Sequence, residues 1–168
     1  MSEFLSKLSS YNIFNYLVPG VVFAILGDVI TDYGIIQKDI VVGLFLYYFI
    51  GLVVSRIGSL VVEPLLRKVG FLETVPYFDF IKASKEDEKI ETLSEANNSY
   101  RTFVATFASL VLLKFSEFLG EKFPPIGEGI GFILIFILFS IFLLSYRKQN
   151  SYVVKRVTHA IHLSQGDE

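Results

Sequence analysis

Between Ile40 and Ser55 no residue is charged, and the apolar run that contains them, Asp39 to Lys68, is longer than a buried helix requires. Arg56 and Glu63 follow, and Pro64 and the basic pair Arg67 and Lys68 close the run. At ~1.5 Å per residue, Arg56 sits ~25 Å along from Asp39, near the far face of a ~30 Å hydrocarbon core. The run therefore predicts a helix that spans a membrane and continues beyond it.

Composition supports the same reading. Of 168 residues, 52% are hydrophobic and 17 are Phe, which argues for an integral membrane protein over a water-soluble fold. Net charge is only −2, so any nucleic-acid site has to be a local basic patch. Cysteine is absent, which removes disulfides, thiolate nucleophiles and Cys-based metal sites. The first apolar run is broken by Pro19-Gly20 and lacks a small-x-small cleavage motif, so it is expected to remain as an anchor.

The expected fold class is all-α: a polytopic membrane protein with four transmembrane helices and a cytoplasmic helical extension between spans two and three. Residues 1–66 form an interfacial segment over residues 1–10, then a transmembrane hairpin with spans at 13–30 and 40–60. Pro19 should kink the first span, and Gly34 suits the turn between the two. Gly51, Ser55 and Ser59 recur every four residues along span two, a row of small side chains that lets another helix approach closely.

Residues 67–101 hold six Lys/Arg and seven Asp/Glu, so this loop must lie in water. Its aromatic first part, with Phe71, Tyr77, Phe78 and Phe80 around Pro76, is expected on the membrane surface. Ser84 and Asp87 read as a capping box opening a helix of up to ~35 residues that runs into span three. Residues 102–146 form the second hairpin, with a turn from Gly120 to Pro125 and a fourth span stopped by Arg147 and Lys148. Residues 147–168 form a basic amphipathic tail with a disordered end. The long loop and the tail hold most of the Lys and Arg outside the spans, which by the positive-inside rule puts both termini and the loop in the cytoplasm of a bacterial inner membrane.

No Gly-rich phosphate loop, nucleophile elbow or metal-spaced cluster is present, so neither an enzyme nor a cofactor is expected. His159 and His162 stand three apart on a basic helix, a pattern more often of surface residues than of ligands. Ionisable and polar groups at membrane depth carry more information, because each needs a partner, water or the interface. On that basis the pore or gating candidates are Arg56, Glu63, Asn98, Thr102, Ser109, Lys114 and Glu117. Glu88, Glu91, Glu95, Asn98, Thr102, Ala105 and Ser109 fall on one helical stripe. Lys114 either pairs with Glu117 or snorkels outward, and Glu63 has a ready cation in Arg101. Arg67, Lys68, Lys82, Lys85, Arg101, Lys155 and Arg156 are candidates to meet a cytoplasmic ligand or lipid headgroups. With nearby Tyr and Phe they suit a nucleotide or oligonucleotide, and they equally suit anionic lipid.

The segments Asn12-Ile13-Phe14-Asn15-Tyr16-Leu17-Val18-Pro19-Gly20 and Glu95-Ala96-Asn97-Asn98-Ser99-Tyr100-Arg101, with the four-span layout, resemble small membrane proteins of bacterial anti-phage operons. These include the membrane effectors of Hailong-type systems, which are paired with a nucleotidyltransferase. The resemblance implies an oligomeric, gated, pore-forming effector controlled by a nucleotide-derived ligand, and it transfers no site residues. Four helices of ~20 residues are too few to enclose a conducting pore, so that function requires a homo-oligomer. The alternative is a non-conducting membrane anchor for a cytoplasmic protein partner.

Overall fold

The computed structural model describes residues 12–165; the expected interfacial turn over residues 1–10 and the last three residues lie outside that range. Every regular element among the described residues is helical. A π segment (Ile13–Leu17) leads into α1 (Val18–Ile30), and α2 (Ile40–Ile57) leads through a second π segment (Gly58–Val62) into α3 (Glu63–Lys68). Then come α4 (Tyr77–Glu86), α5 (Lys89–Lys122) and α6 (Pro124–Gln165). Four stretches are long and apolar enough to cross a membrane: Ile13–Ile30, Ile40–Lys68, Lys89–Lys122 and Gly131–Thr158. The chain divides into a compact unit, Met1–Ile130, that contains three of these stretches, and a second unit, Gly131–Glu168, that is helical over its described residues.

Both prolines inside the first two spans are accommodated in the same way. Proline lacks an N–H, and its ring collides with the carbonyl four residues back. Each π segment ends two residues before a proline, with wide bonds from Val18 N–H to Ile13 O and from Glu63 N–H to Gly58 O. Pro19 and Pro64 then fall in the first turn of α1 and of α3, where no intrahelical donor is needed. The sequence predicts a kink at Pro19; the structure places a widened turn ahead of it.

The α1–α2 connection is built as expected from Gly34, which adopts φ 61°. Thr31 closes α1 by bonding back to Gly27 O, and Asp39 caps α2 by accepting the Val42 N–H at 2.9 Å. Gly20 and Gly51 set the helix approach that follows. A Cβ on Gly20 would lie 1.7 Å from the Tyr47 carbonyl oxygen, and one on Gly51 1.7 Å from that of Tyr16, so the backbones touch where only glycine fits. These pairs make α1 and α2 antiparallel. Helix α5 lies beside both, with Gly58 against Arg101 and Ala105 near one end and Gly27 against Leu110 and Leu113 toward the other. Ala24, Val54, Ala105 and Leu110 fill the seam.

Two expectations at helix ends are corrected. Ser84 does not open a helix: it lies inside α4 and donates to Ile81 O, while Asp87 accepts the Lys89 N–H at 2.9 Å and starts α5. The Ser-to-acid spacing was real, but residues 77–86 are already helical, and Ile81 is buried, which the capping pattern does not register. Gly120 does not break α5, which runs 34 residues to Lys122, so Phe123 alone separates it from α6. Arg147 and Lys148, expected to stop the fourth span, lie inside a continuous helix: they end an apolar stretch without ending the helix. Both are good helix formers, and no Gly or Pro follows until Gly166, so α6 continues to Gln165.

Candidate functional site

Polar side chains gather in the first unit at three levels. In the interior, Asn15 (1% exposed), Ser55 and Thr102 (0%) meet where the first π segment, α2 and α5 converge. Thr102 Oγ1 lies 2.9 Å from Asn15 Oδ1, 3.3 Å from Ser55 Oγ and 2.9 Å from the Asn98 carbonyl, three acceptors around one hydroxyl proton. Asn15 Nδ2 reaches Ser55 Oγ at 3.5 Å, and Thr106 repeats the pattern one turn on by donating to Thr102 O. Polar groups away from water have to find each other, so this cluster ties three segments with directional bonds where apolar packing alone would permit slippage. Its first ligand, Asn15, belongs to segment 12–20 and its carbonyl, Asn98, to segment 95–101, so the two short motifs noted in the sequence end at one cluster.

Toward the 67–88 loop, Glu63 sits between two guanidinium groups. Arg101 Nη1 donates to Glu63 Oε2 at 2.7 Å, and Arg67 Nη2 donates to Glu63 Oε1. The expected pairing of Glu63 with Arg101 is thus present, with Arg67 added from one turn along α3. Beside them, residues 63–73 and 97–104 bound a recess of about 200 Å³, with Phe71, Tyr100 and Glu73 on its walls. Arg101 Nε is buried without a hydrogen-bond partner among the described residues.

At the other end, Glu117 (7% exposed) accepts the Asp32 backbone N–H at 2.6 Å and Lys114 Nζ at 2.6 Å. Of the two uses weighed for Lys114, the ion pair is the one formed. The carboxylate thereby fastens the α1–α2 connection to α5. Nearby, the Gln37 N–H donates to Tyr47 Oη at 3.0 Å and the Ile36 N–H to Asp28 Oδ1 at 3.3 Å, which fixes the rest of that turn.

The other predicted residues are dispersed. Arg56 is half-buried and makes a long 3.5 Å bond to Tyr16 Oη, whose ring stands edge-on to Tyr48. The Ser109 hydroxyl oxygen is buried without a partner among the described residues. Lys68, Lys82 and Lys85 are exposed, and Lys155 and Arg156 lie on α6 in the second unit. The small-residue row of span two serves packing: Gly51, Ser55 and Ser59 are all buried. Asn15 was not among the site candidates. An amide four residues before a proline inside an apolar run was the available signal, since the proline there cannot bond that residue's carbonyl.

Searches of protein-family models, curated proteins and solved structures find no match to this chain.

Proposed function

We propose that the chain is an oligomeric inner-membrane effector of the pore-forming or ion-channel type, gated from the cytoplasm and serving anti-phage defence under a nucleotide-derived ligand. The observation that carries the gating part is α5. One unbroken helix of 34 residues, ~50 Å long, bears buried Thr102 at one level and exposed Glu91 and Glu95 farther out. A ligand that displaces the outer segment therefore moves the inner polar cluster. The defence setting is supported by the resemblance of residues 12–20 and 95–101 to Hailong-type membrane effectors, and the orientation by the positive-inside count.

The interior of the first unit is filled at Thr102, Ala105, Thr106 and Leu110, so conduction requires an axis between several copies. Ion flux from vesicles reconstituted with the purified chain tests the reading. Flux in any ligand condition supports it, and a sealed bilayer in all of them rejects it.

A second reading is a non-conducting anchor that presents the loop to a cytoplasmic protein. It is favoured by α4, whose Phe78, Lys82 and Lys85 are exposed on a short helix held to the rest through Ile81. Gel filtration in mild detergent separates the two: a stable homo-oligomer favours the channel, and a monomer that captures a partner favours the anchor.

A further inference from the structure

We infer that the recess between residues 63–73 and 97–104 is a headgroup site for a phospholipid carrying both a phosphate and a primary ammonium. The inference rests on the apolar helices crossing a bilayer and is independent of whether the chain conducts.

Depth is the first argument. Glu63 lies 24 residues beyond the Asp39 cap, ~36 Å along the helix, just past a ~30 Å hydrocarbon core. Val104 and Leu66 line the recess, and Val104 lies one turn of α5 beyond Arg101, toward the apolar side. The recess thus sits where lipid headgroups do. Tyr100 and Phe71, 72% and 76% exposed, stand on its rim as aromatic residues do at a membrane boundary.

Charge is the second. The lining holds Arg67 and Arg101 against Glu63 and Glu73, a sum of zero with both signs presented. Glu63 gives one oxygen to each arginine, which leaves each guanidinium with further N–H groups on its terminal nitrogens. Those donors suit a phosphate diester, since the guanidinium fork matches phosphate oxygens. Glu73, exposed and without a partner among the described residues, suits an ammonium. A nucleotide fits less well, because about 200 Å³ lies below the ~300–1,000 Å³ typical of sites for drug-sized ligands.

The test uses the full chain in mixed micelles with equal amounts of phosphatidylethanolamine, phosphatidylcholine and phosphatidylglycerol, with retained lipid counted by native mass spectrometry. The expected result is a preference of about tenfold for phosphatidylethanolamine over phosphatidylcholine, whose quaternary ammonium has no N–H to donate. Glu73→Gln, an exposed position where misfolding is not expected, should erase that preference, while Lys38→Gln, exposed in the α1–α2 connection away from the recess, should keep it. Equal retention of all three lipids, selective retention of phosphatidylglycerol, an unchanged preference in Glu73→Gln, or displacement of the lipid by ATP would each overturn the assignment. Loss of the preference without loss of flux in vesicles would separate this site from the channel reading.

Discussion

The two ends of the first unit each hold a carboxylate paired with a cation, yet they are built differently. Glu117 takes one bond from a backbone N–H, that of Asp32, and is almost wholly enclosed. Glu63 is paired with two arginine side chains, Arg67 about half exposed and Arg101 more enclosed. A backbone donor cannot leave without moving the turn that carries it, whereas a guanidinium on a long stem can change partners at little cost. The end at Glu117 is thus a fixed fastening, and the end at Glu63 is an adjustable one that opens onto a recess. Between them the Asn15, Ser55 and Thr102 cluster keeps the three segments in register.

The contrast can be broken outright at the glycine crossing. Gly51→Ala would drive a methyl into the Tyr16 carbonyl, so both ends should be lost together. Unfolding in mixed detergent micelles is expected to show a loss of more than about 3 kcal/mol. At the fixed end, Glu117→Ala should free the Asp32 amide and raise its hydrogen exchange roughly tenfold while leaving amides near residue 63 unchanged. Equal acceleration at both places would show that the ends are not independent.

Thr102→Val keeps the shape and removes the shared hydroxyl. The same unfolding assay should register about 1 kcal/mol, the usual size for an interhelical hydrogen bond in a membrane protein. The smallest effect belongs to the adjustable end. Arg67→Ala should cost no more than about 0.5 kcal/mol, because the side chain is 48% exposed and Glu63 keeps Arg101. A larger loss would show that the loop end is as rigid as the other.

Much of this layout is legible in the residues because single physical constraints decide it. The uncharged run from Ile40 to Ser55 has to be covered by something apolar, and a helix free of Pro and Gly from Lys89 onward has no reason to stop before residue 120. Glu63 and Arg101 are each too costly to leave alone near an apolar boundary, so their pairing could be anticipated from type and depth. What was not legible depends on partners distant in sequence. Asn15 matters because Thr102, 87 residues away, lies beside it. Ser84 and Asp87 fit the spacing of a helix start, yet α4 already runs from Tyr77 through Ser84 to Glu86, with Ile81 docked and buried. The charges at 147 and 148 mark where an apolar surface ends, and a backbone that satisfies its own bonds does not respond to that boundary.

The wide turns ahead of Pro19 and Pro64 also bear on how the chain tolerates change in its length. Such a turn holds one residue more than the ordinary turn it replaces, so shortening 58–62 by one would keep the facing of the residues on either side while returning the Pro64 ring to the carbonyl four residues back. The same shortening within 45–50 would swing everything downstream by about 100° and pull Ser55 away from Thr102. These two places are where the length of the rod can be edited without rewriting its faces.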